Sequence, residues 1–145
     1  MRSKYTRGFS LIELLIVLAI IGIVAAIAVP NLLQSKATAN EASAISTVRN
    51  IVSAEMSYSV TIGAGQYGTM AALANNGLVD SVVASGTKDG YAFVVTPGAS
   101  SLTFATDARP VTYNNTGIRS FYADESGVIR STTADAKAAS ASDPL

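Results

Sequence analysis

Between Phe9 and Val29 the chain holds 21 residues with a single charge, Glu13, and fourteen of them are Leu, Ile, Val or Phe. As one helix this run is about 31 Å long at 1.5 Å per residue, close to the hydrocarbon thickness of a bilayer. At about 0.3–0.6 kcal/mol each, the large apolar residues favour insertion by roughly 4–8 kcal/mol. A carboxylate costs about 3 kcal/mol at the bilayer centre and less near its edge, where Glu13 falls, so insertion wins. Arg2, Lys4 and Arg7 precede the run with no acid among them. That flank should stay cytoplasmic and place the remainder of the chain outside.

Two simpler readings compete with a specialised one. A secretory signal peptide has a basic start, an apolar stretch and a small-residue cleavage site, which Ala26-Ile27-Ala28 supplies. Its apolar stretch usually runs 7–15 residues and holds no acid. A plain single-pass anchor accounts for the length and leaves the early carboxylate unexplained.

The string Arg7-Gly8-Phe9-Ser10-Leu11-Ile12-Glu13 resembles the prepilin peptidase motif of type IV pilins and type II secretion pseudopilins. The resemblance implies cleavage between Gly8 and Phe9 and N-methylation of the new Phe9 terminus. It assigns Glu13, the fifth residue after the cut, to assembly, and Gly22 and Pro30 to a helix bend. Burial gives Glu13 a physical role: an unpaired carboxylate in lipid is costly, and so is a buried cationic amine. If Phe9 of an arriving subunit meets Glu13 of its neighbour both costs fall, with an attraction of about 4 kcal/mol at 4 Å and an effective dielectric near 20. The N-terminal resemblance covers about the first 55 residues. The segment Ser120–Arg130 also resembles the C-terminal strands of a bacterial subgroup of these proteins.

Beyond Pro30, Leu33, Ala37, Ala44, Ile45, Val48, Ile51, Val52 and Met56 recur at steps near three and four, with Lys36, Glu41, Arg49 and Glu55 expected on other faces. One helix from about Phe9 to Val60 follows. Met70–Asn76 predicts a short helix stopped by Gly77, and Asp80 a cap for another turn ending at Gly86. Tyr91, Phe93 and Val95 share one strand face, and Leu102, Phe104 and Thr106 another, joined by the turn Pro97–Ser100. After a loop through Arg109–Gly117, Arg119–Ala123 and Val128–Ser131 read as a final hairpin turning at Asp124–Gly127. The fold class is α+β: a long N-terminal helix, transmembrane then amphipathic, packed on a small three- or four-stranded antiparallel sheet. The expected organisation is a basic leader at 1–8, a transmembrane and filament-core helix at 9–30, an amphipathic helix with a periplasmic or extracellular α+β domain at 31–131, and a disordered tail at 132–145.

Charge and composition remove other function classes. Net charge is zero and there is no Cys or His, which excludes a basic field for nucleic acid, disulfides, Cys/His zinc sites and any His-dependent triad. Gly63-Ala64-Gly65-Gln66-Tyr67-Gly68 matches the dinucleotide-binding glycine pattern, but a helix precedes it and no βαβ unit surrounds it, so it reads as an exit loop. Asp124 and Glu125 point apart in a turn and make a poor calcium site; Asn114-Asn115-Thr116 matches a glycosylation sequon built of ordinary turn residues. No catalytic residue, metal or cofactor is expected. The leading function is a structural filament subunit, stored in a bacterial inner membrane and polymerised into a periplasmic or cell-surface filament. Its implied partners are copies of itself, the prepilin peptidase, an inner-membrane assembly platform and the lipid bilayer. The absent cysteine pair leans toward a pseudopilin rather than a cysteine-stapled pilin. The alternative is a secreted binding module released by signal peptidase.

Overall fold

The computed structural model describes residues 8–133 and 143–145. The chain divides into two compact units, Met1–Gln34 and Ser35–Leu145. Helix α1, Leu11–Thr61, contributes to both, and its helical assignment continues through Gly22 and Pro30.

In the second unit, α1 is followed by α2 (Met70–Asn75), α3 (Ser81–Ala84) and the strands β1 (Thr87–Lys88), β2 (Tyr91–Pro97), β3 (Phe104–Pro110), β4 (Ser120–Asp124), β5 (Arg130–Thr132) and β6 (Asp143–Pro144). Each short helix starts as its sequence dictates. Thr69 caps α2 by accepting from Ala72 N–H, and Asp80 caps α3 by accepting from Val83 N–H at 2.8 Å. Gly77 and Gly86 follow at positive φ, the backbone that ends a helix.

The sheet is an antiparallel meander in the order β1-β2-β3-β4-β5-β6, with registers such as Phe93↔Ala108 and Ala108↔Phe121. Directly paired residues share a face. Tyr91, Phe93, Phe104, Ala108, Phe121 and Ala123 are all buried, and Ala44, Val48, Ile51 and Ala54 of α1 join most of them, with Leu73 and Val83, in one core. Thus the strand faces and the α1 face are each other's cover.

Six strands stand where three or four were expected. The additions are the two-residue strands β1 and β6, too short to show alternation. β3 also runs on through Arg109 and Pro110, which had been assigned to a loop; Pro110 ends the strand opposite Tyr91. Leu102 lies before β3 and is exposed, whereas Phe104 and Thr106 point inward. The expected loose tail is held at both of its described ends: Thr132 pairs with Ser120, and Asp143–Pro144 pairs with β5. Its middle, 134–142, lies outside the described residues, as does the leader through Arg7.

The larger correction concerns α1. Glu41 and Glu55 were placed away from the apolar face, yet Glu41 is 8% and Glu55 0% exposed. The buried stripe runs through 41, 44, 48, 51 and 55, at steps of three and four, so both acids lie on it, at its two ends. Each keeps its place through a polar partner.

Candidate processing and assembly site

Gly8, Phe9 and Ser10 precede the helix. The Ser10 carbonyl opens the helical ladder by accepting from Glu13 N–H at 3.1 Å and Leu14 N–H at 3.3 Å. Glu13 therefore sits in the first turn, where exposed N–H groups give a partial positive charge that favours a carboxylate. Among the described residues no hydrogen bond or ion pair reaches its side chain.

Among the described residues, a Cβ at Gly8 or at Gly22 would meet nothing within 4 Å. Pro30 removes one helical N–H donor, and Asn31 next to it returns its side-chain amide to the Ile27 carbonyl at 3.0 Å.

The surface of this unit is apolar on every side. Phe9 is 78% exposed, and from Leu11 to Leu33 no large hydrophobic is less than 45% exposed. A helix that is apolar all round is stable only when lipid or other helices surround it. By length and composition it can cross a membrane.

Residues 3–29 match the family model for the prokaryotic N-terminal methylation motif. The chain is 46% identical over 52 residues to the type IV major pilin protein PilA of Myxococcus xanthus, covering 36% of this chain and 24% of that one. It is 55% identical over 38 residues to the type IV wide pilus major component PilA4 of Thermus thermophilus, covering 26% of this chain and 29% of that one. The N-terminal segment is similar to that of type IV pilins. No solved structure matches the chain. The matches span about a quarter of each relative's length, 24% and 29%, so the likeness lies in the N-terminal segment.

In the second unit the sequence reading missed a polar clamp. Glu41 on α1 accepts from the N–H groups of Ile118 and Arg119, at 2.9 and 3.2 Å, and from Arg119 Nε at 2.8 Å. Burial alone would raise its carboxyl. The two N–H groups and the guanidinium outweigh that and hold it below the ordinary value. Beside it, Asn40 donates to the Thr116 carbonyl at 2.9 Å, and Ser43 to Asp89 at 2.6 Å. Tyr91 donates its hydroxyl to the Arg119 carbonyl at 2.7 Å; burial, and next the Glu41 charge, push that phenol well up. The signal that could have revealed the clamp is the spacing of Glu41 from Ala44, Val48 and Ile51, which puts it on the buried stripe.

Three shallow hollows of about 400, 470 and 630 Å³ lie on this unit. The second holds Asp124 and Glu125. Asp124 spends one oxygen on the Ser126 N–H and hydroxyl, which closes its own turn. Among the described residues there is no group of three or more Asp or Glu side chains placed to hold a metal ion.

Proposed function

We propose that this protein is a structural filament subunit of the type IV pilus kind, stored in the inner membrane through Phe9–Val29 and polymerised through the same helix. The observation that carries the reading is the uncovered apolar helix bearing one carboxylate in its first turn, inside a segment that matches the N-terminal methylation motif. In this reading a prepilin peptidase cuts between Gly8 and Phe9 and methylates Phe9. The Phe9 amine of one subunit then meets Glu13 of the next, and Gly22 and Pro30 let the helix bend as it packs. Both curated relatives are named as pilus components, which supports a pilus over a secretion pseudopilus.

The test is Glu13→Ala. Membrane insertion becomes easier, since a carboxylate leaves lipid, and cleavage after Gly8 continues. Filament formation falls sharply, because the buried amine loses its counter-charge at a cost of about 3–5 kcal/mol. Sheared surface filament is weighed against total processed subunit. Wild-type yield from Glu13→Ala at normal processing would mean that packing alone drives polymerisation. Mass spectrometry of the extracted subunit checks the first step: loss of residues 1–8 is expected, whereas a chain beginning at Val29 would point to signal peptidase.

A further inference from the structure

The glycine-rich string after α1 is a built strap. Gly63 and Gly65 donate to the Tyr58 and Ser59 carbonyls at 2.7 and 2.8 Å, and Tyr67 N–H donates to Ser101 at 2.7 Å in the β2–β3 connection. The Tyr67 ring lies 4.7 Å from Phe104, and its hydroxyl faces the Met56 sulfur at 3.7 Å. Ala64 is held at φ +48°, an uncommon backbone for a residue with a Cβ. At its far end Gly68 is buried, and its N–H donates to Glu55 Oε2 at 2.9 Å, one residue before the Thr69 cap of α2.

Glu55 is fully buried, and its second oxygen has no hydrogen-bond partner. An ionised carboxylate offers about four acceptor sites, and one donor leaves it far from satisfied. We propose that Glu55 is a proton-held latch: bound as the neutral acid, it clasps the strap through Gly68 N–H and lets it loosen on ionisation. Burial raises the Glu55 carboxyl above its ordinary value, and the single Gly68 bond only partly opposes this. Among the described residues no charged group offsets it: none of Lys36, Glu41, Arg49 and Tyr58 on α1, Tyr67 in the strap, Tyr91 on β2, Asp107 and Arg109 on β3, or Asp80 before α3, whose Oδ1 accepts from Val83 N–H, shifts the Glu55 carboxyl. The sign follows: with its folded value raised, Glu55 contributes stability below the ordinary carboxylate range and loses it as pH rises through the folded value. The latch belongs to the second unit and stands whether or not the filament reading does.

The test uses the full processed chain in detergent micelles. The side-chain carboxyl carbon of Glu55, followed by NMR from about pH 4 to 9, should titrate above ordinary glutamate. Exchange of the Gly68 amide, corrected for intrinsic rate, should rise by up to about tenfold per pH unit between the ordinary glutamate value and the folded one, and level off above it. Glu55→Gln keeps an acceptor for Gly68 and cannot ionise, so its protection should stay level with pH. Titration of Glu55 in the ordinary range overturns the proposal with no variant needed. So does a Gly68 protection profile that is the same in wild type and Glu55→Gln.

Discussion

At the scale of single residues, the two buried acids of α1 respond to pH in opposite directions. Glu41 is held ionised, so its share of stability is present above the ordinary carboxylate value and is lost as pH falls through its lowered one. Glu41→Gln should therefore unfold more easily at pH 7, by about 2–4 kcal/mol, because Arg119 and two N–H groups lose a charged acceptor. The deficit should shrink toward pH 3, where the wild-type carboxyl also takes a proton. Urea midpoints for both chains at the two pH values check this, and a deficit of equal size at both would show that packing sets the cost. Neither acid was legible as buried. A charged residue inside an apolar period is ordinarily solvent-facing, and what overrides that is two N–H groups of the loop before β4, from far along the chain, for Glu41, and one N–H of the nearby strap for Glu55.

At the scale of elements, what was legible had local causes. The caps at Thr69 and Asp80, the stops at Gly77 and Gly86, and the alternation of β2 and β4 depend on neighbours in sequence. The strands β1 and β6 depend on what lies beside them, so two residues of sequence could not announce them. The loop between β3 and β4 shows the same dependence. A Cβ on Gly117 would fall on the Tyr91 hydroxyl, which is engaged with the Arg119 carbonyl. Gly117→Ala should then displace a buried ring and cost about 1–3 kcal/mol, read as a lower midpoint in thermal unfolding. Tyr91→Phe, which removes only the hydroxyl, should cost about 1 kcal/mol and should relieve only part of the Gly117→Ala penalty in the double variant, because ring carbons Cζ and Cε2 still lie 2.7 and 2.8 Å from the added methyl. Additive losses would place the clash elsewhere.

At the scale of the whole molecule, the division at Gln34 and Ser35 follows the change from an uncovered apolar helix to one with a buried stripe. A chain beginning at Ser35 keeps every residue of the core and drops the surface that needs lipid. It should be a soluble monomer with mixed α and β circular dichroism and a cooperative thermal transition; an unfolded or aggregated product would show that residues before Ser35 are needed for folding. The membrane-type helix and its early acid were plain in the sequence, because twenty-one residues of nearly unbroken hydrophobicity admit few alternatives. Phe9 and Glu13 stand out in the sequence as well, and the role proposed for them needs a second copy of the chain.

The strand order has a kinetic consequence. Every strand pairs with the one next to it in sequence, so each hairpin closes only a short loop and can form soon after its second strand is available. Val48 and Ile51 share one core with Phe121 and Ala123, positions some seventy residues away in sequence. Docking the zipped meander onto α1 is thus the step that loop entropy slows, and until it is done the helix shows its apolar stripe and two acids to water. A chain delivered N-terminus first would hold that stripe open until β4 arrives, which makes the interval before Phe121 emerges the period of greatest exposure to aggregation.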